Sequence, residues 1–179
     1  QVFNGILQND SPFGGAGFTK FSSDGLKLAM CQRVQTGNAE IFNFDPSDGD
    51  VSNPVVIKVP ANIGSSWPYG IEFSPSSELL YVIHSSSLQY PGSLFQWDIS
   101  SHDSTTIANS IVTIHDSVPF HGGMQLGPDS MIYLTGYEVL HRIESPDIAG
   151  LGCNLVVDFM DLNKNTSPAL PYFPTFQLV

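Results

Sequence analysis

The stretch YGIEFSPSSELLYV, residues 69–82, packs a strand-like segment, a Ser-Pro-Ser-Ser turn and a second apolar run into a few residues. The same order occurs twice more, as FTKFSSDGLKLAM (18–30) and GMQLGPDSMIYL (123–134). Phe21, Phe73 and Leu126 align, at spacings of 52 and 53 residues. In each copy apolar residues lead into a turn built from Asp-Gly, Pro-Ser or Pro-Asp, whose backbone preferences suit a tight connection between antiparallel strands. The mostly apolar run after the turn reads as a strand covered on both faces.

The likeness continues downstream. AEIFNFDPSDGDVSNPVVIKV (39–59) matches GSLFQWDISSHDSTTIANSIVTI (92–114), with Asp45 and Asp98 equivalent, and YEVLHRIESPDIAGLGCNLVVDF (137–159) places Glu144 there. Each unit offers four strands, in the second at about 69–73, 79–84, 93–99 and 110–115. Four strands recurring every ~50 residues is the period of a β-propeller blade. The predicted class is therefore all-β: a single propeller segment over residues 1–179, with blades at about 15–60, 67–117 and 121–160 and a closing tail at 161–179. A β-sandwich with fortuitous self-similarity is the competing architecture. Because propellers typically have roughly four to eight blades, three imply a ring completed by blades upstream of Gln1 or by a second copy in a homodimer.

Composition agrees. Of 179 residues, 41% are apolar and 13% charged, and Gly and Pro contribute 16 and 13, which suits short strands and turns. Six basic residues and a net charge of −11 speak against nucleic acid as a partner, since phosphate recognition depends on Lys and Arg. No apolar run approaches the ~20 residues of a membrane helix, so membrane insertion is not expected. Cys31 and Cys153 fall in non-adjacent units and read as buried thiols.

With the motifs laid out, a resemblance appears. YGIEFSPSSELLYV (69–82), LFQWDIS (94–100), GGMQLGPDSMIYL (122–134), VLHRIESPDIAGLGCN (139–154) and ALPYFPTF (169–176) resemble, in that order, the WD40-like propeller region of Bacteroidetes cell-surface proteins of the gliding-motility-associated C-terminal domain kind. Ser76-Ser77 stands where that pattern has Asp-Gly, and LPYF (170–173) where it has Leu-Pro-Asn-Phe. The resemblance implies type IX secretion, an extracellular or cell-surface location, and no catalytic residues.

Candidate chemistry is sparse. Asp45, Asp48 and Asp50 in DPSDGDVSN (45–53) offer oxygen ligands around a glycine, a candidate Ca²⁺ loop. Val56 occupies the place of the bidentate glutamate, and the alternative is an acidic turn between the third and fourth strands of blade 1. His84, His102, His115, His121 and His141 show no metal-ligand spacing. His121, before the Gly-Gly bend that opens blade 3, is the catalytic candidate, since the start of an innermost strand lies near a ring face. Trp67, Tyr69, Tyr90 and Phe120, with His121, are candidate binding residues, because aromatics near loop tips stack on sugars or partner chains; inter-blade packing is the other reading. The expected function is a non-enzymatic propeller module that binds protein or glycan or acts as a rigid scaffold. The alternative is a lactone-cleaving propeller lyase or hydrolase with a metal-assisted site in the central channel.

Overall fold

The computed structural model describes residues 17–31, 38–60, 67–85, 91–118, 120, 122–165 and 170. Among these described residues, twelve strands form three four-stranded antiparallel sheets, each a meander in chain order. Blade 1 comprises β1 (Thr19–Phe21), β2 (Lys27–Cys31), β3 (Asn38–Asp45) and β4 (Asp50–Lys58). Blade 2 comprises β5 (Trp67–Phe73), β6 (Leu79–Ser85), β7 (Gly92–Asp98) and β8 (Val112–Val118), and blade 3 β9 (Met124–Leu126), β10 (Ile132–Thr135), β11 (Val139–Ile143) and β12 (Leu155–Asp161). Phe21, Phe73 and Leu126 each end an innermost strand, as the sequence alignment requires.

The three first turns are built alike. Gly25, Ser77 and Ser130 have φ of 70°, 63° and 64°. Their N–H groups donate to Ser22, Ser74 and Gly127 carbonyls at 2.9, 2.9 and 3.1 Å. This left-handed conformation is easy for glycine and strained for serine. Ser77 offsets that strain by accepting the Asp24 N–H of blade 1 on its hydroxyl, at 3.1 Å, so the departure from Asp-Gly ties two blades together.

Alternation along the strands divides each sheet into two faces. Ala29, Cys31, Ala39, Ile41 and Ile57 of blade 1 share one core with Ile71, Phe73, Leu80, Val82, Phe95 and Trp97 of blade 2. Tyr81, Ile83, Leu94 and Ile114, from the opposite face of blade 2, share a second core with Met124, Leu126, Ile132, Leu134 and Ile143 of blade 3. The core is therefore not inside a sheet sandwich but between successive blades, the arrangement of a β-propeller.

One detail differs from the sequence reading. The fourth strand of blade 2 begins at Val112 rather than 110, because residues 104–109 form a short helix, α1 (Ser104–Asn109), capped by the Asp103 carboxylate, which accepts the Thr106 N–H at 2.7 Å. Ile107 of α1 enters the first core. In β4, Pro54 is tolerated because β4 is an outermost strand with one unpaired edge. Cys31 and Cys153 are buried free thiols in different blades, as expected. Among the described residues no helix is long and apolar enough to cross a membrane.

Candidate functional site

The innermost strands carry one chemical feature that the sequence reading passed over. The residue before each aligned Phe21, Phe73 and Leu126 is polar: Lys20, Glu72 and Gln125. All three are buried, at 3%, 1% and 5% exposure, and they meet where the three innermost strands come together. Lys20 Nζ lies 2.9 Å from Glu72 Oε2 and donates to Gln125 Oε1 at 2.8 Å. Glu72 Oε1 accepts the Phe73 N–H and Oε2 the Leu126 N–H, both at 3.0 Å. Gln125 Nε2 donates to the Leu126 carbonyl at 3.0 Å. One cation from blade 1 thus reaches a carboxylate on blade 2 and an amide on blade 3. Burial pushes the Glu72 carboxyl up, while Lys20 and the two N–H groups oppose that rise. An unpaired buried charge is costly, so this seam holds only when all three blades are in register. Its signal was legible: reading the repeat one residue before the aligned position gives Lys, Glu and Gln.

Backbones approach closely beside the seam. The Phe18 N–H donates to the Tyr69 carbonyl at 3.1 Å, linking β1 to β5. A Cβ at Gly70 would stand 2.0 Å from the Gly122 carbonyl oxygen, so only glycine lets blades 2 and 3 meet there.

Tyr69 stacks edge-on against Phe18 with ring centroids 5.3 Å apart, and its ring lies where a Cβ on Gly122 would stand. It packs between blades 1 and 3 and keeps partial exposure, as does Trp67 at the start of β5. Phe120 corrects the expectation of an accessible aromatic: it is fully buried and packs edge-on against His141 at 5.3 Å. Tyr90 and His121 lie outside the described residues.

Asp45, Asp48 and Asp50 form the exposed β3–β4 turn. Asp45 accepts Ser47 N–H and hydroxyl at 2.8 and 2.6 Å, and Asp48 accepts the Asp50 N–H at 2.9 Å. Their oxygens serve the turn, and among the described residues no group of three His, Cys, Asp or Glu side chains is arranged to hold a metal ion. His84 and His141 are buried on β6 and β11. Burial holds the His84 imidazole down to about 4. His141 is lowered by burial against the opposing pull of Asp158, whose N–H donates to His141 Nδ1 at 3.0 Å.

No protein-family model and no curated protein matches the chain. Solved structures do. A proposed 6-phosphogluconolactonase from Bacteroides fragilis is similar over 87% of this chain and 41% of its own, with a TM-score of 0.59 and 14% identity. One from Bacteroides uniformis gives 0.56 and 14% over 84% and 43%. The extracellular domain of a proposed one-component system from B. thetaiotaomicron gives 0.51 and 10% over 92% and 19%. The chain spans less than half the length of these proteins. At such identities the likeness shows the fold alone. The chain is a β-propeller segment.

Proposed function

We propose that this chain is a non-catalytic propeller segment, displayed outside a bacterial cell, that serves as a rigid scaffold and binds protein or glycan. The observation that carries this reading is the seam. The polar groups that each innermost strand directs inward are spent on one another and on backbone N–H groups, which suits a structural clamp better than a reacting centre. The motif order in 69–176 supports the extracellular location and type IX export. Partner binding falls to the rim, where Trp67 remains partly exposed at the entry to blade 2.

The test pairs two assays on the same purified protein. Binding to a printed glycan array and to immobilised extracellular-matrix protein is expected, and Trp67→Ala lowers it severalfold without changing Tm. Hydrolysis of 6-phosphogluconolactone is followed by proton release, with and without added divalent metal. The expected rate is that of buffer. Lactone opening above that rate would overturn the scaffold reading in favour of the lactone-cleaving one.

A further inference from the structure

Strand pairing gives each blade an equivalent position at the end of its third strand, opposite the start of the second. Asn43 pairs with Lys27 and Asp98 with Leu79, and Glu144 follows the Ile143–Ile132 pair by one residue. In blades 2 and 3 that side chain holds the connection that comes after it. Asp98 Oδ1 accepts the Ser100 N–H and hydroxyl at 2.9 and 2.6 Å, and Glu144 Oε2 accepts the Asn154 side-chain amide of the 144–154 loop at 2.7 Å. In blade 1 the following turn closes on Asp45 instead, and the Asn43 side chain makes no hydrogen bond among the described residues.

Asn43 lines a cleft between blade 1 and the 99–107 connection of blade 2. It shares that cleft with Lys27, Asn53, Ser101 and His102, and Ile41, Ile99 and Ile107 give it an apolar wall. The backbone of blade 1 is distorted at this point. Ile41 pairs with Val55 and Asn43 with Ser52, so Phe42 alone faces Asn53 and Pro54, and Asn53 takes a left-handed φ of 49°. A bulge of this kind re-aims a side chain, and here it puts a second amide in the same cleft as the first. Neither Asn53 nor His102 has a side-chain hydrogen-bond partner among the described residues. Ser101 Oγ accepts the Asp103 N–H at 3.0 Å and keeps its own proton to donate.

We infer that this cleft binds a neutral saccharide, which gives the binding module proposed above a glycan site and rests on that reading. The chemistry selects the class. No described residue lining the cleft carries a carboxylate, which leaves a cation without a charged ligand, and a chain of net charge −11 repels anions. The Lys27 ammonium already has the Asp24 carboxylate at 3.6 Å. What remains is two amides, a hydroxyl and an imidazole, groups that donate and accept as sugar hydroxyls do, beside an apolar wall for the ring C–H groups. The inner volume of about 20 Å³ holds one water-sized group, so a single hydroxyl enters and the sugar ring rests in the open part of the cleft.

Two-dimensional NMR on the isotope-labelled chain, titrated with the methyl pyranosides of glucose, galactose, mannose and N-acetylglucosamine, reads the site directly. The side-chain amide signals of Asn43 and Asn53 are expected to shift with at least one of these sugars, at millimolar affinity. Asn43→Ala should weaken that binding about fivefold, the loss of one hydrogen bond. Asn53→Gly should do the same, because glycine keeps the left-handed backbone and removes only the amide. The backbone signals of the other blades show that each variant is folded. A sugar that shifts signals around Trp67 and is indifferent to both asparagine variants overturns the cleft and upholds glycan binding at the rim. No shift with any of these sugars also overturns the cleft, and binding to immobilised matrix protein then decides the scaffold reading separately.

Discussion

The two blade–blade interfaces use the same strand positions and fill them in opposite ways. Between blades 1 and 2 the receiving face is small, with Ala29, Ala39, Cys31 and Ile41, and the entering face is large, with Trp97, Phe95 and Phe73. Between blades 2 and 3 the receiving face is large, with Tyr81, Leu94 and Gln96, and the entering face is smaller, with Leu126, Ile132 and Ile143. Trp97 and Ile143 are equivalent, as are Ala29 and Tyr81, because Asp98 aligns with Glu144. At the first interface bulk on one face meets small residues on the other, and at the second the larger side chains stand on the opposite face. Close packing demands such a match, and a repeat protein can meet it by trading bulk between neighbours while each blade drifts in sequence.

That comparison breaks most visibly at Trp97. It is fully buried against the alanines, so Trp97→Ala leaves a void that blade 1 has no side chain to fill. A loss of about 3–5 kcal/mol is expected, read as a fall in the urea midpoint. The complementary change Ala29→Leu in that background should recover part of it, and in the wild type should itself destabilise by about 1–3 kcal/mol through overpacking. If Ala29→Leu is equally harmful in both backgrounds, bulk is not being traded across this gap.

The volume trade also explains what sequence could and could not tell. Turns and strand order were legible because their chemistry is local: the positive φ shared by Gly25, Ser77 and Ser130 leaves a Gly-or-Ser signature at fixed spacing. Strand ends followed to within a few residues. The helix Ser104–Asn109 was not legible, since it is a single capped turn-and-a-half whose hold on blade 1 is one side chain, Ile107. Phe120 read as an exposed aromatic because a residue preceding a Gly-Gly bend looks like loop, whereas the fold turns it into the second core. The Lys20–Glu72–Gln125 seam is legible as a polar residue at one repeat position, but that a lysine, a glutamate and a glutamine some fifty residues apart meet is seen only in the fold, where Lys20 Nζ lies within 3 Å of both the Glu72 carboxylate and the Gln125 amide.

The 144–154 loop is held on the second interface by hydrogen bonds where α1 is held on the first by Ile107, and it should fail differently. Gln96 uses both ends of its amide, donating to Tyr81 Oη at 2.7 Å and to the Ile148 carbonyl, and accepting from Gly150. Gln96→Leu keeps most of the volume and strands those partners, for an expected loss of about 1–3 kcal/mol. Hydrogen exchange should show faster opening of residues 145–154 with blade 1 unchanged. Uniform loosening of all three blades would mean that the loop is not the part Gln96 holds.

The smallest expected difference is in the response to acid. His84 lies on the blade 1 side of β6, edge-on to Phe95 at 6.1 Å. Burial lowers its pKa to about 4 against an ordinary 6.5. The folded state therefore resists a proton that the unfolded chain accepts. The associated stability is complete above about pH 6.5, is lost as pH falls toward 4, and changes no further below that, on the order of 1–3 kcal/mol. His141, on the blade 2 side of β11, is also lowered by burial, but Asp158 Oδ1 lies 3.5 Å from its Nδ1 and favours its protonated form. Its share of the acid loss has the same sign and should be smaller. Tm measured at pH 7 and pH 4.5 separates the two: His84→Phe should flatten the drop more than His141→Phe does. Equal flattening would show that the exposed Asp158 carboxylate is too well solvated to matter, and that both interfaces exclude protons by burial alone.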